Sequence, residues 1–251
     1  MNSGKDTSQE LAQSARPRDF NHDVRRVKSK LSRARLKLGP NHPGLCHILE
    51  ELGILYLQME EFGKAKSLYE QSLAIAEHAF GSDHLMVSYP LNYLGDLFIL
   101  MDEYDKARDF LLRGLAIQEK TLGTNHYDLA STLNSLALVY LDSGEHAEAE
   151  NCLLRFLAIA QSEPSYPQLS IGMSCVNLAV VKENQGRYKQ ASELYKRASK
   201  IFKSHADTDD PWIVESIEAI EADLKDCERS GSNKTRGEPK RCTPNIPCES
   251  I

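Results

Sequence analysis

Between Gly39 and Lys203 the chain states nearly the same pattern four times, at a period of 42 residues. Gly39, Gly81 and Gly123 keep that step, as do Asn41-His42, Asp83-His84 and Asn125-His126. It also carries Leu52 to Leu94, Leu136 and Leu178, and Ala65 to Ala107, Ala149 and Ala191. A fixed period between about 20 and 50 residues marks a stack of equal units, each burying its apolar face against its neighbours. Such a chain is first of all a surface for binding.

Each repeat resolves into two helical patterns. Leu49, Leu52, Tyr56 and Met59 fall at helical spacing; the short turn Glu60-Glu61 leads to a second run through Phe62, Ala65, Tyr69, Leu73 and Ala76. The unit is a helical hairpin. Small residues recur where its helices must approach: Gly53 with Ala65, Gly95 with Ala107, Ala137 with Ala149, Ala179 with Ala191. Glycine inside a helix costs about 1 kcal/mol relative to alanine, so Gly53 and Gly95 imply close packing. Pro90 falls inside a first-helix pattern, where its ring opposes the carbonyl four residues back and one hydrogen bond is lost. A late start near Ser88 or a kink is expected there.

The linkers carry stop and start signals. Gly39, Gly81 and Gly123 suit the left-handed conformation that ends a helix. Asn41, Asp83 and Asn125 suit the next N-cap, and Pro43 a first turn. The fourth linker, Glu163-Pro164-Ser165-Tyr166-Pro167, has two prolines and no glycine, which predicts a different turn.

The motif Leu52-Gly53-x-x-Tyr56 followed by Ala65-x-x-x-Tyr69 resembles the tetratricopeptide signature. Later copies read Leu94-Gly95-x-x-Phe98, Leu136-Ala137-x-x-Tyr140 and, more weakly, Leu178-Ala179-x-x-Lys182. Repeats of about 34 residues are usual in that family. The longer repeats with linkers such as Leu38-Gly39-Pro40-Asn41-His42-Pro43 and Leu122-Gly123-Thr124-Asn125-His126 resemble the kinesin light chain and nephrocystin group, over residues 38 to 204. The resemblance implies an all-α, right-handed superhelical solenoid of helix-turn-helix repeats. It also implies an adaptor role, with motor-linked or ciliary transport as its setting.

One domain is expected. Residues 1–20 and 230–251 read as polar, disordered tails around a solenoid at 21–229. Within it, a capping helix at 21–38 (Val24, Val27, Leu31, with Ala34) precedes repeats at about 39–80, 81–122, 123–163 and 164–205. A last capping helix at 210–229 opens on Asp210-Pro211 and carries Trp212, Ile213, Ile217, Ile220 and Leu224. A hydrophobic share of 41% is enough for a continuous helical core. No leader-like apolar stretch or membrane span is visible, so a cytoplasmic protein is expected, associated with cytoskeleton or cilium if the resemblance holds.

Catalysis is not expected. The sequence has no glycine-rich phosphate loop, nucleophile elbow or His-Glu-x-x-His pattern. His42, His84 and His126 recur once per repeat, too far apart to converge on one metal, and read as turn or capping residues. Of six cysteines, Cys46, Cys152 and Cys175 lie in helical patterns, while Cys227, Cys242 and Cys248 lack metal-ligand spacing, so neither metal nor cofactor is expected. Asn233-Lys234-Thr235 matches a glycosylation sequon and is expected to be inert. Cys248-Glu249-Ser250-Ile251 is a poor prenylation box, and its end could also serve a carboxylate-capturing domain.

By the resemblance, groove positions stand two before, two after and five to six after the key leucine. They are Glu50, Ile54, Leu57 and Gln58; Asn92, Asp96, Ile99 and Leu100; Asn134, Leu138, Leu141 and Asp142; Val176, Val180, Glu183 and Asn184. Asn92 and Asn134 lead, because an amide can donate to and accept from a peptide backbone at once. The plainer reading of either is a solvated helix face. No Lys or Arg occurs in this set, so an apolar or basic protein segment is favoured over an acidic one. A carboxylate clamp is not expected, since of Glu51, Tyr93, Ser135 and Asn177 only the last fits it.

Charge is unevenly divided. Residues 16–37 hold nine Lys or Arg against two Asp, whereas 38–229 hold sixteen basic against thirty acidic. Arg25, Arg26, Lys28, Lys30, Arg33, Arg35 and Lys37 form either a solvated face complementing the acidic body or a dock for an anionic surface. Nucleic acid is not the expected main partner, given a net charge of −6. A convex-face partner and self-association into a homo-oligomer stay open.

Overall fold

The computed structural model describes residues 20–205 and 211–233, with side chains through 230. Among them are ten α-helices: α1 (Phe20–Leu38), α2 (Cys46–Gln58), α3 (Phe62–Phe80), α4 (Leu85–Leu100), α5 (Tyr104–Leu122), α6 (Leu129–Asp142), α7 (His146–Ser162), α8 (Gln168–Asn184), α9 (Tyr188–Lys203) and α10 (Pro211–Asn233). The fold class is all-α, as the sequence implies. Two compact units divide at Ile75 and Ala76, inside α3. Residues 1–19, the Asp210 cap, Cys242 and Cys248 lie outside the described residues, as do the Asn233 side chain and the rest of the carboxy-terminal tail. α10 runs four residues past the boundary read from sequence.

In the first unit α1 packs on α2 through Val24, Val27 and Leu31, all buried. A 3-10 turn, Pro43–Leu45, leads into α2. A Cβ on Gly53 would overlap the Tyr69 ring, which is fully buried. Close packing is therefore the reason for the glycine, and its partner is the tyrosine rather than Ala65. The second unit stacks three hairpins, α4 on α5, α6 on α7 and α8 on α9, with α10 closing on α9. First helices lie beside first helices, α4 by α6 and α6 by α8. There Gly95 faces Leu111, the residue one repeat on from Tyr69.

All four hairpin turns close in the same way. Glu61, Glu103, Glu145 and Arg187 donate from the backbone to the carbonyls five residues back at 2.7–2.9 Å. The preceding residues have positive φ: Glu60 58°, Asp102 57°, Gly144 74° and Gly186 74°. This is the paired-bond helix ending that a left-handed residue permits. Tyr56, Phe98 and Tyr140 hold the same place in successive turns, with Lys64, Lys106 and Arg108 over their rings at 5.2–5.4 Å. The fourth copy has Lys182, which is buried and ion-paired to Glu150. Burial opposes the Glu150 charge, but Lys182, Gln185 and Arg187 outweigh it and hold that carboxyl below the usual range.

Between repeats, Gly39, Gly81 and Gly123 have φ of 92°, 86° and 85°. The expected Asn and Asp caps are not the ones used. His42, His84 and His126 accept instead, their Nδ1 atoms taking the backbone N–H two residues on at 3.0–3.2 Å. An imidazole reaches across the turn, while Asp83 turns outward to Lys120 at 3.0 Å. The fourth linker differs as expected: among the described residues it has no positive φ, and it turns on a bond from Tyr166 N–H to the Glu163 carbonyl at 3.0 Å.

The late start expected at Pro90 is not found, since α4 begins at Leu85 and continues through the proline. Pro90 is the sixth residue of the helix, so it forfeits one hydrogen bond, to the Met86 carbonyl in the first turn, while His84 caps the end. On the second helices a lateral ladder runs through Glu77–Arg113 and Glu119–Arg155, both 2.6 Å. Arg113 and Arg155 also reach the linker carbonyls of Ser82 and Thr124.

Candidate functional site

The predicted groove residues fall on the first helices. In the first unit Glu50 is buried and accepts from the Ser72 hydroxyl at 2.7 Å; burial pushes its carboxyl up. Ile54 and Gln58 beside it are half-buried. In the second unit Asn92, Asp96 and Leu100 on α4, Asn134 on α6, and Val176 and Asn184 on α8 are half-buried, while Asp142 is exposed. Leu138 and Val180 are buried, so they serve packing more than contact.

The two asparagines are not free amides. Asn92 donates to the Thr132 hydroxyl at 2.6 Å, and Thr132 in turn donates to the Gln118 carbonyl oxygen at 2.9 Å. One repeat later the Ser174 hydroxyl donates to Asn134 Oδ1 at 2.9 Å. Each asparagine thus links its first helix to the next through a hydroxyl forty residues on. Pro90 occupies the place of Thr132 and Ser174 in its own repeat. Asn92 Oδ1 is buried without a hydrogen-bond partner, packed where a Cβ on Gly114 would stand. Asp96 accepts from the Ser135 hydroxyl, and burial raises its carboxyl to about 6.

A cleft of about 420 Å³ opens on this face within the second unit. It is lined by Tyr89 and Tyr93 of α4, by Tyr127 in the linker before α6 and by Tyr166 in the linker before α8. Asp96 and Asp128 bring carboxylates to it, and none of its lining residues is cationic. Phe156 meets Tyr166 edge-on at 5.5 Å, and burial raises the Tyr166 phenol to about 12. Tyr127 is more than half exposed, its phenol raised by its hydrogen bond to Asp128. Among the described residues no group of three or more His, Cys, Asp or Glu could hold a metal ion, and no helix is long and apolar enough to cross a membrane.

Family profiles for the tetratricopeptide repeat match residues 30–78, 45–120 and 86–162, and a further one matches 172–211. The chain belongs to the tetratricopeptide repeat family. Its solved structural relatives include BtubC (BKLC) from P. vanneervenii, at 21% identity and a TM-score of 0.65, covering 94% of this chain and 83% of that one. They also include nearly identical TPR-like repeats of a putative kinesin light chain from P. anserina, at 24% identity and a TM-score of 0.61, covering 77% and 90%. MamA follows at 18% identity and a TM-score of 0.52, covering 82% and 100%. A search of the curated proteins finds no match. These likenesses establish the fold; tetratricopeptide repeats generally mediate protein interaction and are typically non-catalytic.

In this tetratricopeptide array the basic residues lie on α1. Arg25, Arg26, Lys28, Lys30, Arg33 and Lys37 are exposed and Arg35 is half-buried. Part of the face is used internally: Lys30 pairs with Glu51 at 2.6 Å, Arg35 donates to Gln71 at 2.9 Å, and Lys28 stands 5.4 Å from the Tyr56 ring centre. The tyrosine cleft was not legible as a site. One repeat after Tyr89 and Tyr93 stand Ser131 and Ser135, so a reading built on shared positions passes over them. The usable signal was the departure from the repeat, namely tyrosines at positions where the equivalent residues of the other copies are not tyrosine.

Proposed function

We propose that the chain is a non-catalytic adaptor that holds an extended apolar or basic segment of a partner protein along its first-helix face. The observation that carries this reading is the run on α4, α6 and α8 in which Asp142 is exposed and Asp96, Leu100, Val176 and Asn184 are half-buried, which has carboxylates, apolar surface and no cation. Such a surface steers basic segments by charge and grips them by apolar contact. Likeness to a putative kinesin light chain supports motor-linked transport in the cytoplasm as its setting. The test is an array of unstructured peptides probed with the full chain and with a Leu100→Lys, Asp142→Lys variant of matched helicity. Basic and apolar peptides should bind the wild type and be lost from the variant. Retention of the same peptides by the variant rules the first-helix face out.

A second reading rests on α1, where Arg25, Arg26, Arg33 and Lys37 are exposed. It is docking of that helix on an anionic surface. Binding through α1 would fall steeply with salt and disappear on deletion of residues 1–37.

A further inference from the structure

The cleft in the second unit combines features that solve one recognition problem. A tyrosine ring carries an electron-rich face, and a cation within about 6 Å of such a face is attracted more strongly as water is excluded. Tyr89, Tyr93, Tyr127 and Tyr166 supply four such rings, Asp96 and Asp128 supply negative charge, and no lining residue supplies positive charge. From this arrangement we infer that the cleft is a specificity pocket for one cationic side chain, arginine or lysine, of the bound partner segment. The inference rests on the adaptor reading and names the feature of the segment that is selected.

Three further observations agree with a cationic occupant. Burial disfavours the Asp96 charge, lifting its carboxyl to about 6, and an entering cation would favour the charged form. Asp96 is held from the side by the Ser135 hydroxyl, so it is oriented before any ligand arrives. The chain from 38 to 229 is strongly acidic, which favours approach of a basic segment over an acidic one. An anionic occupant would meet two carboxylates without a countercharge. A neutral aliphatic one would gain nothing from Asp96 or Asp128.

Short unstructured Ala-Ser peptides bearing one central Arg, Lys or citrulline make the test. Citrulline keeps the shape of arginine and removes its charge. Titrated into the isotopically labelled full chain, the Arg and Lys peptides should shift the signals of Tyr89, Tyr93, Tyr127 and Tyr166. The citrulline peptide should bind about tenfold more weakly or less. Asp96→Asn, which can still accept from Ser135, and Tyr127→Leu, at an exposed position, should each weaken the Arg peptide by about tenfold with helicity unchanged. Equal binding of the citrulline peptide, or indifference to both variants, overturns the pocket. If peptides shift Asn134, Asp142 and Asn184 but leave the tyrosines unmoved, the first-helix reading survives and the pocket does not. If no peptide shifts any first-helix signal, the adaptor reading falls with it.

Discussion

Glu60 and Asp102 do what glycine does elsewhere in the same fold. At the four hairpin turns φ is 58°, 57°, 74° and 74°, and the residues are Glu60, Asp102, Gly144 and Gly186. A side chain in the left-handed region costs roughly 1–2 kcal/mol, and Asp tolerates it better than Glu. Replacement by glycine removes that cost but loosens the unfolded chain by about 0.5–1 kcal/mol. Glu60→Gly should therefore raise stability by about 0.5–1 kcal/mol, with a smaller gain for Asp102→Gly. Gly144→Ala should lower it by about 1 kcal/mol. Urea unfolding midpoints measure all three; a loss of stability in Glu60→Gly would mean that its left-handed backbone is not strained.

At the scale of the element, the repeat period made the helices legible and concealed how they are joined. Leu, Gly and Ala at fixed steps marked the paired helices of each repeat, because burial is what those positions share. Asn92 and Asn134 read as peptide hooks, since a lone sequence gives no reason to pair an amide with a hydroxyl forty residues away. The pairing was nevertheless visible as a repeated relation, Asn92 with Thr132 and Asn134 with Ser174. Histidine caps are legible: His42, His84 and His126 read as turn or capping residues and they do cap, whereas the Asn or Asp beside each, with the stronger cap propensity, does not. Thr132 decides the worth of the lateral network. It is buried, and its hydroxyl accepts from Asn92 while donating to Gln118. Thr132→Val keeps the shape and takes the partner from the Asn92 N–H and from the Gln118 amide oxygen, so it should cost about 1–3 kcal/mol, whereas Thr132→Ser should cost less. A Thr132→Val protein as stable as the wild type would show that the α4–α6 contact is held by packing alone.

For the molecule as a whole, repetition transfers the burden of closure to the ends. Every internal hairpin of the second unit has a neighbour to cover it, but α9 would be bare without α10. That helix buries Ile213, Ile220 and Cys227, sets Trp212 against Phe202 at 5.6 Å between ring centres, and directs the Cys227 thiol to the Tyr188 carbonyl. Its rim adds Lys203–Glu221 at 2.6 Å and Lys196–Glu228 at 2.8 Å. Apolar burial and exposed ion pairs make opposite predictions about which deletion matters. A fully buried Ile contributes about 1.5–3 kcal/mol, while exposed pairs contribute about 0–1 kcal/mol. A chain ending at His205 should therefore lose at least about 3 kcal/mol of stability and, with Tyr195 and Phe202 uncovered, associate as its concentration rises. Lys196→Ala with Lys203→Ala should change stability by less than about 1 kcal/mol. Denaturant unfolding with light scattering separates the two cases: if the lysine variant loses as much stability as the truncation, α10 is held by its charged rim, and its apolar stripe is not what closes the array.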